Sequence, residues 1–204
     1  MTGTPVAFSN VMTTTHAKVV VGFDLTHSGR AALYRAIALA NRAPSNVLHF
    51  VCVIDPHRGL TAVPPTGAVD YEYAERVQKA VTDDIAAELA AVTVTNRVHF
   101  FVHARIGKPA EEILEVAREV GADLIIVGTK GLTGVERAMV GSAAERIVRE
   151  AHCSVEVARP KTYEYVELLE IVDSTQEHHP YVPPHRYVYE DRNVSLRPLE
   201  WPLY

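Results

Sequence analysis

Cysteine is scarce in this chain. Cys52 and Cys153 stand 101 positions apart and neither belongs to a CxxC pair. That spacing argues against a disulfide framework or a zinc ribbon, and a reducing cytoplasm is the expected setting. Long apolar runs are missing: nothing approaches the roughly 18 residues that cross a bilayer, so no membrane partner is expected. Positive charge is not in excess, since 20 Lys and Arg face 25 Asp and Glu for a net charge of −5. Without a basic stripe, a nucleic-acid partner is not expected either. Two phosphate-loop signatures are also missing, the dinucleotide GxGxxG and the Walker GxxxxGK[ST]. Residues 1–16 are Thr-rich and lack a basic cluster followed by an apolar run, so they read as a flexible leader rather than a secretory signal.

What remains is an ordinary globular balance, 48% hydrophobic and 22% charged. Apolar β-branched runs alternate with helical periodicity. The first run is Lys18–Asp24, followed by Leu33, Ala36, Ile37 and Ala40 at i, i+3, i+4, i+7, with Thr26 or Ser28 as cap and Pro44 as stop. Val47–Ile54 is the second run, and a Pro- and Gly-containing loop over 56–69 leads to Val77, Val81, Ile85 and Leu89. Arg97–Val102 reads as the third strand. Gly107-Lys-Pro opens a third helix that buries Ile113, Val116, Ala117 and Val120 and ends at Gly121. Asp123–Val127 is the fourth strand. A fourth helix from about Gly141 to His152 turns Ala144, Ile147, Val148 and Ala151 inward, and Cys153–Ala158 reads as an edge strand. Both cysteines read as buried hydrophobes. Strict β-α alternation of this kind predicts an α/β fold with a parallel sheet and helices on both faces over residues 17–160.

Residues 161–204 differ in kind. They hold six of the nine tyrosines and five of the twelve prolines, with four basic against eight acidic residues. Tyr163–Val172 reads as a strand or a short helix. Beyond it, Pro180, Pro183, Pro184, Pro198 and Pro202 argue against regular structure. The expectation is a C-terminal arm laid on a surface of its own body or of a partner subunit. His178, His179 and His185 cluster there, and surface or interface histidines outweigh a metal site in so proline-rich a segment.

The chemistry concentrates in Gly128-Thr-Lys-Gly131-Leu-Thr-Gly134-Val-Glu-Arg-Ala-Met-Val-Gly141-Ser142. It follows the most apolar strand and ends where a helix opens. Glycines let backbone amides approach an anion, and a helix N-terminus adds unpaired N–H groups and a positive dipole end. Lys130 and Arg137 supply charge. Phosphate binding and an ordinary turn both account for such a loop.

Here the sequence resembles the universal stress protein family, over about residues 17–160. The resemblance rests on Val-Gly-Phe-Asp24, Val-Cys-Val-Ile-Asp55, Gly107-Lys-Pro-Ala-Glu-Glu-Ile, Ala-Asp-Leu-Ile-Ile-Val-Gly128 and, most specifically, Gly-x2-Gly-x9-Gly-Ser at Gly128, Gly131, Gly141 and Ser142. It implies a Rossmann-like sheet of order 3-2-1-4-5, similar to the adenine nucleotide alpha hydrolases. It also implies membership of the ATP-binding branch, with ATP or AMP as ligand and Mg²⁺ held beside Asp24. Asp24 would lie beside the adenosine, Val53 would meet the adenine, and Val127 and Gly128 would flank the ribose. Gly131 would let the loop pass close, while Gly141, Ser142, Ala143 and Ala144 would cradle phosphates. Ala144 and Gly22 depart from some relatives, which carry a hydroxyl residue and a proline there. The family also implies a homodimer through residues 153–159, which the arm would enlarge.

No nucleophile–base arrangement stands out, so no catalytic or metal-ligating residue is assigned. The expected function is a nucleotide-dependent regulatory or interaction dimer in stress response. A protein-interaction module without nucleotide and a slow ATPase are the alternatives.

Overall fold

A computed structural model describes residues 17–129 and 141–159 in full and the backbone of 186–190 and 193–197. The leader expected over 1–16, the loop glycine Gly131 and the segment Tyr163–Val172 lie outside these residues. The chain divides into two compact units, Met1–Pro160 and Lys161–Tyr204.

In the first unit, β1 (Lys18–Gly22), α1 (His27–Arg42), β2 (Val47–Ile54), α2 (Tyr71–Ala91), β3 (His99–Ile106), α3 (Pro109–Val120), β4 (Leu124–Gly128), α4 (Ser142–Glu150) and β5 (Ser154–Ala158) alternate without exception. All five strands are parallel, in the order β3-β2-β1-β4-β5. Period-2 alternation divides the core. Val19, Val21, Leu48, Phe50 and Ile126 face α1 and α2. Val20, Val51, Ile125 and Val127 face α3 and α4. The central strands are buried on both faces, which is why they read as continuous apolar runs.

Helix boundaries follow local chemistry. Thr26 caps α1, its hydroxyl accepting from Gly29 N at 3.2 Å. Asp70, which the sequence reading does not single out, caps α2 by accepting from Tyr73 N at 3.0 Å. Pro109 stands in the first turn of α3, and Gly121 closes it in the left-handed conformation with φ 62°.

Four expectations need correction. β3 runs to Ile106 rather than Val102, pairing residue for residue with all of β2. Its polar His103 and Arg105 break the apolar run, but an edge strand has no need of one. Val148 is 54% exposed rather than inward, because α4 buries only Ala144 and Ile147. Cys52 is buried but Cys153 only half-buried, both as free thiols. In the second unit, β6 (Arg186–Glu190) and β7 (Asn193–Arg197) form an antiparallel hairpin where proline argues against regular structure. The prolines flank these strands without entering them, and two residues connect Glu190 to Asn193, the shortest common hairpin link.

Among the described residues no helix is long and apolar enough to cross a membrane.

Candidate functional site

β1 is followed through α1 by its neighbour on one side, β2, while its other neighbour is β4. The strand order therefore reverses beside β1, and the carboxyl ends of the strands splay apart there. A cavity of about 310 Å³ occupies that place, within the range of small-molecule sites. Gly22, Phe23 and Asp24 bring the end of β1 to it, Val51, Val53 and Asp55 the end of β2, and Val127 and Gly128 the end of β4. Three helices point their N-termini at it, through Gly29, Pro109 and Ser142.

Of the residues singled out from the sequence, Asp24, Val53, Val127, Gly128, Gly141, Ser142, Ala143 and Ala144 all line this one cavity. Gly131 is outside the described residues. The departure at Gly22 sits in the wall: a Cβ there would lie 3.0 Å from Ile113 Cδ1 and 3.1 Å from Val127 Cγ1.

The α4 end of the site is built for negative charge. Its N-cap is Gly141, which has no side chain to accept from the first amides. Gly141 N donates to Thr129 O at 2.7 Å and ties together the two ends of the eleven-residue segment between them. Gly128 permits a second close approach. A Cβ there would collide with the carbonyl and hydroxyl of Ser28, so only glycine lets the end of β4 reach the first turn of α1.

Both strand-end aspartates have structural work as well as a place in the wall. Asp24 Oδ1 accepts from Thr26 N at 3.1 Å and from the Thr26 hydroxyl, closing the turn into α1. The intervening Leu25 has φ 61°, a left-handed conformation that those bonds help to hold. Asp55 Oδ1 accepts from His57 N at 2.8 Å and Arg58 N at 2.9 Å. The His57 amide above all, with that of Arg58, holds the Asp55 carboxyl below the usual carboxylate range.

Sequence reasoning missed the far wall. Gly59 lines the cavity with φ +70°, and Gly107 and Pro109 complete that side. Tyr73, wholly buried, takes the Leu60 N–H at 2.7 Å and donates its hydroxyl proton to Val63 O. The available signal was the turn-like Asp55-Pro-His-Arg-Gly59, but no periodicity could connect it to a tyrosine thirteen or so residues on. Val51, Val53, Ile113 and Ile147 make the interior largely apolar. An apolar slot opening on an uncapped helix N-terminus accommodates a flat uncharged group joined to an anion. Among the described residues, no group of three or more His, Cys, Asp or Glu is placed to hold a metal ion.

Sheet order, crossover connections and the crevice at the switch point define a doubly wound α/β protein with a ligand-type cleft. The universal stress protein family matches residues 16–159, and the chain belongs to that family. A universal stress protein of Methanocaldococcus jannaschii is 31% identical over 145 residues, 71% of this chain and 82% of the relative. A putative universal stress protein of Staphylococcus epidermidis is 34% identical over 149 residues, covering 71% and 84%. Among solved structures, universal stress protein UspA from Lactobacillus plantarum aligns with a TM-score of 0.52 at 25% identity, over 70% of this chain and 97% of that one.

Proposed function

We propose that this protein binds an adenine nucleotide, ATP or AMP, and acts in the cytoplasm as a nucleotide-dependent regulatory or interaction dimer of the stress response. The observation that carries the reading is the convergence of the family-motif positions on one cavity. Residues as distant in sequence as Asp24, Val53 and Ser142 meet there beside an uncapped helix. In this reading the first amides of α4, from Gly141 to Ala144, hold phosphate. Val127 and Gly128 border the ribose, and Val53 meets the base through its backbone. Asp24 borders the adenosine and, with phosphate oxygens, is the carboxylate available to a hydrated Mg²⁺. Gly131 belongs to the same proposal through its place in the motif. Ala144 has no hydroxyl, so phosphate binding relies on amides at that position.

The dimer would form through β5. Among the described residues this strand has a neighbour, β4, on one side only, and Val148 stands exposed on the preceding helix. Antiparallel pairing with the same strand of a second copy satisfies its free backbone groups around a two-fold axis. The Tyr- and Pro-rich arm would enlarge that contact.

The first test is to denature the purified protein and resolve the released small molecules by anion exchange with mass detection. Adenine nucleotide near one per chain is the expected result. An empty protein that also fails to bind millimolar ATP with Mg²⁺ would overturn the reading in favour of an interaction module without nucleotide.

A further inference from the structure

The two ends of the cavity differ in charge. On the β4 side lie the uncapped amides at the start of α4. On the β2 and β3 side lies the Asp55 carboxylate, with His57 and Arg58 beside it. The first turn of α3 carries Glu111 and Glu112. Glu111 is paired with Arg146 at 2.9 Å and Lys108 at 3.4 Å, whereas the Glu112 carboxyl packs against Gly107. An anionic group is therefore favoured at the α4 end, and an uncharged ring at the β2–β3 end.

That second end is closed by an irregular segment, residues 55–65. Asp55 and Gly59 form one isolated antiparallel bridge and Leu60 and Val63 another, with Gly59 N donating to Asp55 O at 2.9 Å and Val63 N to Leu60 O at 3.0 Å. These short-range contacts set the turn, and Leu60, wholly buried in the core with Val63 packed against it, anchors its side chains. The backbone of the turn is held by Tyr73, in the first turn of α2. Its hydroxyl accepts from Leu60 N and donates to Val63 O, tying both sides of the turn to α2. The fit is close: a Cβ on Gly59 would lie 2.6 Å from the Tyr73 hydroxyl and 2.9 Å from Pro65 Cδ.

We propose that Tyr73 is a positioning residue for ligand binding: it struts the 55–63 turn so that Gly59 and Asp55 form the wall against which the base of the nucleotide packs. This rests on the nucleotide reading above, in which the base lies toward β2 and the phosphates toward α4, and adds what supports the wall that the base meets. Asp55 Oδ1 is occupied by the His57 and Arg58 amides, which leaves Oδ2 as the wall's acceptor for an amino group on the base.

The experiment compares full-length wild type with Tyr73→Phe and Gly59→Ala, using AMP and ribose 5-phosphate as probes in calorimetric titrations. Ribose 5-phosphate reaches the α4 end but has no base to meet the wall. In Tyr73→Phe, AMP affinity should fall about tenfold, as expected when one hydroxyl takes two hydrogen bonds to the backbone with it, while ribose 5-phosphate affinity stays within twofold. Gly59→Ala should give the same selective pattern, by pushing the turn from the other side, and carries the test if Tyr73→Phe does not fold. AMP binding unchanged in a folded variant, or an equal loss for both probes, overturns the proposal while leaving the nucleotide reading in place. Wild type that binds neither probe overturns both.

Discussion

His49 and His103 show how one contact between strands makes a residue sensitive to acid. They stand on β2 and β3, with His49 Nδ1 3.1 Å from His103 Nε2, and His49 stacks on Phe101 at 5.0 Å between ring centroids. One imidazole must donate and the other accept, so the contact is lost once both carry two ring protons. Burial pushes His49 down to about 4, helped by His103 and by Lys18 on β1. Burial likewise lowers His103, helped by Arg105 and opposed by Glu119 of α3. The sign follows from proton uptake: both groups bind protons more readily in the unfolded chain, so their contribution is present above about pH 6.5 and is lost as the pH falls toward 4. Between pH 7.5 and 4.5, unfolding in urea should show stability falling by about 1–3 kcal/mol from this pair. His49→Leu should flatten that dependence, and an unchanged slope in the variant would assign the acid sensitivity elsewhere. His49 lies within the apolar run Val47–Ile54, and His103 just beyond the run Arg97–Val102. Their contact was not legible, because it depends on the β2–β3 register.

At the scale of elements, α4 is the most informative. Its inward stripe was read from periodicity and was half right: Ala144 and Ile147 are buried, whereas Val148 is exposed. Periodicity gives the face of a helix but not how much of that face a neighbour covers, and α4 lies toward the edge of the sheet. Its start was legible from Gly141-Ser142, and the absence of a side-chain cap adds a way to separate folding from binding. Gly141→Asp would place a carboxylate where a bound anion would sit, accepting from the amides of the first turn. Helix capping predicts a melting temperature equal to or a few degrees above wild type. Competition for the same amides predicts an AMP affinity lower by at least tenfold. Equal affinity in the two proteins would place the anion elsewhere. The hairpin β6–β7 is the converse case. Tyr187, Val188 and Tyr189 carry strand propensity, but a count of prolines over the whole arm concealed where they fall, and their positions decide whether they interrupt a ladder.

For the whole molecule, the division at Pro160 separates a unit with its own two-sided core from one whose described residues form a two-stranded hairpin. Two strands alone are marginally stable in water, which favours the proposal that the arm lies on a surface. Deleting residues 161–204 should leave nucleotide binding intact. If the arm enlarges the dimer, the deletion should raise the dimer dissociation constant at least tenfold in sedimentation equilibrium. An unchanged dimer and melting temperature would show that the arm serves something other than self-association.

The alternation of apolar runs and helical stripes, the caps at Thr26, Pro109 and Gly121, and the spacing of Gly128, Gly141 and Ser142 are properties of residue order. They depend on local sterics and short-range hydrogen bonds, so the fold class and most of the α4 end of the cavity were legible in the sequence. The wall at Gly59, the strut from Tyr73, the His49–His103 contact and the crowding of Ser28 against Gly128 were not. Each joins residues on different elements, at a distance set by strand register and helix packing. Register and packing emerge only when the two faces of the sheet are buried together, because that burial, rather than any local preference, selects one arrangement of the elements.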